Sequence, residues 1–417
     1  MCENCLRDQA LIAKLRETGH EVIAVPIYLP MPDAPGNGET QTAPFYGAVR
    51  VFLEHRFPAF KHAPQKLKRW LDSTHVLRLA GRFAGTSSSK NLGGLTLSVL
   101  RGEHGGQASE LETLCNWIRD TQKKPDIIHL SNALLLGMAR RLKAVLNVPI
   151  VCSLQDEDTW IDAMPGRTAS LIWTEIRDRI SDIAGFVTAS HFYANKLPPR
   201  LMIPPCRVRV IPPGIDASRY PPATRPGMPA WNVLLDPDDL DALGFILQAF
   251  ADAKQHPSCR GLHLHCSGIS CRKNRLAHAL LRPMSDALRN DVRLSALILS
   301  ENERLAFIQS ASVFTVLHRS DVAFDLSVLE AMAYGVPVVQ PNSGANPEIL
   351  ATAEGGVLFE PRHTDALTKA LVTLFNDPSR LLAFAQRGRQ DTATRFSIDR
   401  MAQDTLAAYE MLSAREN

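Results

Sequence analysis

Residues 326–350 read LSVLEAMAYGVPVVQPNSGANPEIL and carry three signals in one line. LSVLEAMAY is a helix with Glu330 on it, and Gly335 ends that helix because glycine takes the left-handed cap without a Cβ penalty. VPVVQ is a short uninterrupted apolar run, the mark of a strand buried on both faces. NSGANP then supplies a Gly/Asn/Pro loop at the C-terminal edge of that strand, where open α/β sheets place their ligands.

The same alternation extends upstream. WNVLL, a helix over 241–254, the strand GLHLHCSG, a helix over 273–289, the strand RLSALIL, a helix over 302–311 and the strand VFTVL all precede residue 326, and a helix over 364–375 follows it. Four prolines in PPATRPGMPA (221–230) read as a stiff linker. Before the linker, DIIHLS (126–131), PIVCSL (149–154), GFVTAS (185–190) and RVRVIPP (207–213) are strands separated by helices over 133–146, around 166–183, and a short third one. Apolar strands alternating with amphipathic helices predict a doubly wound parallel sheet on each side of the linker. The expected fold is therefore α/β with two Rossmann-like domains, residues 1–220 and 221–395, and a terminal amphipathic helix over 396–417 packing back on the first.

The chain opens differently. Residues 7–18 have helical spacing, Gly19 breaks the helix, and HEVIAVPIYLP reads as a strand; residues 31–45 are a loop, and a mainly helical stretch interrupted at 85–94 (GTSSSKNLGG) runs to about 120. A doubly wound domain normally opens with a strand and a Gly-rich turn ahead of its first helix, and here the sequence begins inside that helix. The first strand is expected to be encoded upstream of Met1 or lost.

At 417 residues the chain fits two α/β domains of roughly 200 residues each. Hydrophobic residues at 45% and charged residues at 21% place it among soluble globular proteins. A net charge of +3, from 46 basic and 43 acidic residues, gives no field that would favour nucleic acid. The basic run 62–69 (HAPQKLKR) reads as a solvated helix face, which leaves peripheral membrane contact open. No apolar run reaches the roughly 18 residues of a membrane helix and the start lacks a signal-peptide pattern, so a cytoplasmic location is expected. Eight scattered cysteines read as reduced thiols. Cys2 and Cys5 with His263, His265, Cys266 and Cys271 have the residue types of a zinc site, but 263–266 lie on an alternating strand and four ligands would have to converge, so no metal and no cofactor are expected.

Residues 326–350 resemble the nucleotide-sugar-binding region of retaining family 4 glycosyltransferases, which have the GT-B fold. ENERLAFIQSASVFTVL (301–317), VRVIPPGIDASRY (208–220) and the terminal helix add to the resemblance. CENCLRD (2–8), SNALLLGMARRLK (131–143) and VCSLQDED (151–158) look like a bacterial subgroup of the same family. The resemblance implies a nucleoside-diphosphate sugar in the second domain and a glycan or lipid-linked acceptor in the first, in envelope or exopolysaccharide synthesis, with no required metal. Its chemical difficulty is the charge that grows on the leaving diphosphate, which fixed donors and cations must neutralise. A helix N-terminus, here Leu326 and Ser327, and two basic residues usually do so.

By the same resemblance Glu330 is the second glutamate of the family's paired motif, an acceptor-only group suited to ribose hydroxyls. The first would fall on Val322, with Asp321 beside it, and the usual glycine before the helix is Asp325. The expected Arg and Lys of the phosphate clamp fall on Asp236 and Asp241, and no Lys or Arg occurs between Ala230 and Ala253 to restore them. A carboxylate at 325 would repel a diphosphate unless turned away. Gln155 stands where many relatives have an acceptor-side histidine; it is followed by Asp156, Glu157 and Asp158, which read either as acceptor ligands or as an ordinary polar loop. Gln155 and Asp321 are the catalytic candidates, and His129 reads as a packed strand histidine rather than a base. Two readings result: a transferase acting on a nucleotide sugar, or a degenerate relative that binds without transferring. An epimerase or phosphorylase on the same fold has no positive support.

Overall fold

The computed structural model describes residues 3–27, 89–223, 228–298 and 300–413. The expected loop over 31–45, the basic run 62–69 and Cys2 lie outside them. The chain divides into two compact units, one of Leu11–Thr188, Ala194–Ile211 and Asp404–Asn417, the other of Met1–Ala10, Ala189–Tyr193 and Pro212–Gln403.

The first unit holds a four-stranded parallel sheet, β1 (Ile128–Leu130), β2 (Ile150–Leu154), β3 (Gly185–Thr188) and β4 (Val208–Val210), in the order β1-β2-β3-β4. Its helices in chain order are α1 (Glu3–Glu17), shared with the other unit, α2 (Ser89–Leu100), α3 (Ala108–Thr121), α4 (Ala139–Leu146), α5 (Glu157–Asp162), α6 (Gly166–Arg179) and α7 (His191–Arg200), likewise shared. Every residue of β2 is buried, as a strand covered on both faces requires. Gly137 sits so close to the end of α2 that a Cβ would stand 2.1 Å from the Val99 carbonyl oxygen, so only glycine admits this backbone contact.

Two expectations fail here. Residues 20–27 form no strand, since nothing among the described residues pairs with them and a lone apolar run cannot satisfy its backbone groups. The Gly/Ser segment that should interrupt the helical stretch is helical from Ser89 onward, because packing overrides its poor propensity.

The second unit holds six parallel strands, β5 (Ala230–Leu235), β6 (His263–Ile269), β7 (Val292–Ala296), β8 (Val313–Leu317), β9 (Val338–Pro341) and β10 (Gly356–Phe359). Their order is β10-β9-β8-β5-β6-β7. The chain winds outward from β5 to β7, returns to the other side of β5 as β8, and winds outward again. The reversal puts a topological switch point between β5 and β8, and crevices for ligands open at the C-terminal ends of strands at such a point.

The connecting helices are α8 (Leu240–Ala253), α9 (Asn274–Leu280), α10 (Asp286–Asn290), α11 (Glu301–Gln309), α12 (Leu326–Tyr334), α13 (Asn346–Thr352), α14 (Thr364–Asn376), α15 (Pro378–Arg395) and α16 (Ile398–Ser413). The helix expected over 273–289 is two pieces, because Pro283 lacks the N–H an unbroken helix needs. α13, β10 and the whole of α15 escaped the sequence reading. Both missed helices start on a proline signal, Asn346-Pro347 and Asp377-Pro378, with the Asp377 carboxylate accepting the Arg380 N–H at 2.9 Å.

Side chains alternate along the strands and build a core on each face. Trp231 and Val233 join Leu243, Phe250 and Leu371 on one; Phe314, Val316, Leu329 and Ile349 form the other. Among the polar groups this buries at β5 and β8, Trp231 Nε1 donates to Thr315 Oγ1 at 2.9 Å and Asn232 Nδ2 to the Phe307 carbonyl at 2.6 Å.

α16 contributes to both units. In one, Arg400 Nη2 donates to the Pro212 carbonyl at 2.8 Å. In the other, Leu412 fills the space over Gly185, where a Cβ would fall 2.3 Å from its side chain.

Candidate functional site

The C-terminal ends of β5 and β8 deliver Asp236 and His318 side by side. His318 Nδ1 lies 3.0 Å from Asp236 Oδ1, and its Nε2 lies 2.8 Å from Asp325 Oδ2. Carboxylates only accept, so both ring nitrogens must donate and the ring is the imidazolium. Burial works against that charge, but the hydrogen bonds and charges of Asp236 and Asp325 prevail and raise the His318 pKa well above 6.5. Asp236 is displaced the other way: burial opposes its ionised form, yet the His318 hydrogen bond and charge and the Arg319 backbone N–H at 2.9 Å leave its pKa lowered.

Asp325 is buried and caps α12, its Oδ1 accepting the Ser327 N–H at 2.9 Å. The sequence left open which way this carboxylate points; it points inward, between its own helix N-terminus and His318. Arg319 brings a second cation to the same edge, held by the Pro237 carbonyl at 2.9 Å and by Asp239 Oδ2 at 3.3 Å, with 55% of its side chain exposed. Asp238, in left-handed backbone at φ 61°, turns to Ser270, accepting its N–H and Oγ–H at 2.8 Å each.

The residues singled out in the sequence therefore separate. Asp236 and Asp325 are joined through His318. Leu326 and Ser327 form the buried first turn of α12, and Asp241 is exposed on the first turn of α8, apart from that bridge. Val322 is half-buried and Asp321 exposed on the loop after β8; Gly344, at φ 58°, lies against that loop, where a Cβ would stand 3.1 Å from the Val322 carbonyl oxygen. Glu330 is 1% exposed and bound by Arg304 and Tyr220.

In the first unit the acidic turn after β2 is tied down. Gln155 Nε2 donates to the Ser131 carbonyl at 2.8 Å, and the Glu157 carboxylate accepts the N–H groups of Ala133 at 2.8 Å and Gln155 at 2.6 Å. Asp156 makes the turn in left-handed backbone, φ 58°, which Asp tolerates better than most residues. Asp158 pairs with Lys196 at 2.8 Å. His129 lies between Tyr409 Oη at 2.6 Å and Ser153 Oγ at 2.9 Å.

Sequence reasoning missed His318, Arg319, Arg304 and Tyr220. His318 and Arg319 carry a usable signal, since they directly follow a central apolar strand and must emerge at the ligand-bearing edge. Arg304 and Tyr220 give none, because each reaches Glu330 from another element. Among the described residues no cluster of three or more His, Cys, Asp or Glu is placed to hold a metal ion, and no helix is long and apolar enough to cross a membrane.

Residues 234–377 match the family described as Glycosyl transferases group 1, and residues 98–219 match Glycosyltransferase Family 4. A D-inositol 3-phosphate glycosyltransferase of Rhodococcus opacus is 27% identical over 224 residues, 51% of this chain and 50% of that protein. An MMP alpha-(1->4)-mannosyltransferase of Mycolicibacterium hassiacum is 35% identical over 118 residues, 28% of each chain. The chain thus spans half or less of the length of these curated relatives. Among solved structures, Anabaena HepE in complex with UDP superposes with a TM-score of 0.60 at 14% identity, covering 74% of this chain and 84% of that one. The fold is GT-B, with two parallel-sheet α/β domains.

Proposed function

We propose that this chain, whose two halves match glycosyltransferase families, transfers a sugar from a nucleoside-diphosphate sugar to a glycan acceptor, with the donor at the β5/β8 edge of the second unit. The observation that carries this reading is the switch point itself: strand order brings the ends of β5 and β8 and the start of α12 to one edge. Glu330 lies on the second turn of that helix, where an acceptor-only carboxylate suits ribose hydroxyls. His318 and Arg319 supply from β8 the positive charge that the sequence lacks at Asp236 and Asp241, and so stand in for the missing clamp on the leaving diphosphate. Retention of anomeric configuration, an acceptor held near Gln155, Asp156 and Asp158, and a role in envelope or exopolysaccharide synthesis belong to this proposal on the strength of the family resemblance.

A specific observation favours a second reading, binding without transfer. Asp236 and Asp325 already occupy His318, and Val322 offers no carboxylate toward a sugar. Calorimetry with UDP, GDP and ADP, followed by donor-hydrolysis assays with the matching nucleotide sugars, separates the readings. Micromolar binding with turnover supports the transferase. Binding without turnover selects the second reading, and no binding to any of the three removes the donor site altogether.

A further inference from the structure

Between Asp252 and Asp286 the chain carries no acid, and most of its cations there gather at one place. Arg272 and Lys273 lie on the turn that leads into α9, Arg275 on its first turn and Arg282 on the turn behind it, and all four are exposed. The ion pairs nearest in sequence leave them out: Lys254 pairs with Asp291 at 2.7 Å, and Arg289 with Asp286. Among the described residues none of the four has a carboxylate partner.

The same helix shows two leucines to water. Its inner side is fixed, since Ala277 and Leu281, just past its end, join the core that holds Leu243 and Ile246. Leu276 and Leu280, four residues apart and so on one face, remain 51% and 37% exposed. Single exposed leucines are commonplace, but a pair on one face amid unpaired cations marks a contact surface.

Cations around exposed leucines suit a bilayer, where lipid phosphates meet the cations and the leucines enter the acyl boundary. A nucleic acid would use the cations but not the leucines, and would favour aromatic side chains for stacking; no Phe, Tyr or Trp occurs between Phe250 and Phe307. The turn before α9 leaves the C-terminal end of β6, and Asp238, just past β5, accepts the Ser270 N–H and Oγ–H at 2.8 Å each. The patch is thus anchored to the sheet edge that carries His318 and Arg319.

We propose that the exposed face of α9, with the turns before and after it, docks the second unit on an anionic lipid bilayer. Attraction is electrostatic first, because so short a helix offers only two leucines. Each Lys or Arg near an anionic surface raises partitioning about fivefold, and the effect fades within a Debye length of about 8 Å at physiological salt. The inference is independent of what the donor site binds.

The test is flotation of the full chain with vesicles of phosphatidylcholine alone and with about one third phosphatidylglycerol, at low and high salt. Binding to the anionic vesicles is expected to exceed that to neutral ones by about tenfold or more and to weaken with salt; equal partition to both overturns the proposal. In Arg272→Glu/Lys273→Glu/Arg275→Glu, with folding checked by melting, partitioning should fall by about a hundredfold or more. Unchanged binding would mean that another part of the chain meets the lipid, and overturns the assignment to α9. Leu276→Ser/Leu280→Ser keeps every cation and stands alone should the charge-reversed variant not fold. It should weaken vesicle binding about tenfold while leaving retention of a single-stranded oligonucleotide as it was. No loss on vesicles would show a general polyanion patch rather than a lipid surface, and again overturns the proposal.

Discussion

The two sheets carry the same residue types at their sites, a histidine and a run of acids, and satisfy the histidines by opposite means. In the first unit, Glu157 is held by two backbone N–H groups within its own turn and the neighbouring one, and His129 rests between two hydroxyls. A hydroxyl can donate or accept, so that ring is satisfied without charge. In the second unit, His318 lies between two carboxylates that cannot donate, and it must be charged. Contacts such as those of Glu157 with backbone N–H groups and of His129 with hydroxyls make for an electrically quiet edge; a ring faced by carboxylates carries a charge that depends on pH and on what binds.

The largest expected effect falls on the quiet edge. Glu157→Ala leaves the N–H groups of Ala133 and Gln155 without their carboxylate, and losing two charge-assisted bonds there should destabilise the protein by about 3 kcal/mol. Urea unfolding checks this; a loss below about 1 kcal/mol would show that backbone clamping is not what holds the turn.

A middle effect, and the sharpest contrast, comes from His318→Asn. Removing the imidazolium leaves Asp325 buried beside Asp236 with no cation between them, and about 2 kcal/mol should be lost near neutral pH. Because the folded pKa of His318 lies above 6.5, its stabilisation is complete below 6.5 and disappears as pH rises through the folded value. Asp236, with its pKa held below 3.8, stays ionised throughout that range. The gap in melting temperature between wild type and variant should therefore be widest at pH 5 to 6 and narrow in alkaline buffer; a gap that is constant with pH would mean the ring is not the charged bridge.

The smallest effect belongs to Tyr409→Phe, which removes one hydroxyl from His129 and should cost about 1 kcal/mol. Melting measured across pH 5 to 9 should show a constant difference, since the ring's bonds to Tyr409 and Ser153 are to hydroxyls rather than carboxylates. A pH-dependent difference would erase the distinction between the two edges.

Much of this was legible in the chain. The helix from Leu326 to Tyr334, its end at Gly335 and the buried strand after it follow from local spacing and from glycine's access to left-handed backbone, φ 76° here. The parallel strands of both units except β10 were legible for the same reason: an apolar run bounded by turn residues is a property of neighbours in sequence. The strand expected from residue 20 onward is absent over 20–27, because a strand exists only through its partner.

The acids at 236, 241 and 325 were visible as departures from a pattern, but not what compensates them. Asp236 meets a histidine 82 residues further along the chain, and Glu330 meets a tyrosine 110 residues before it. Sequence by itself determined the α/β alternation, the helix at Leu326–Tyr334 with its end at Gly335, and the acids at 236, 241 and 325, because those depend on local backbone chemistry and side-chain type. Only the tertiary structure decided that Asp325 turns inward, that His318 carries a proton and that Arg304 holds Glu330. Electrostatic partners are chosen by distance in space, and it is strand order, with β8 returning beside β5, that sets those distances.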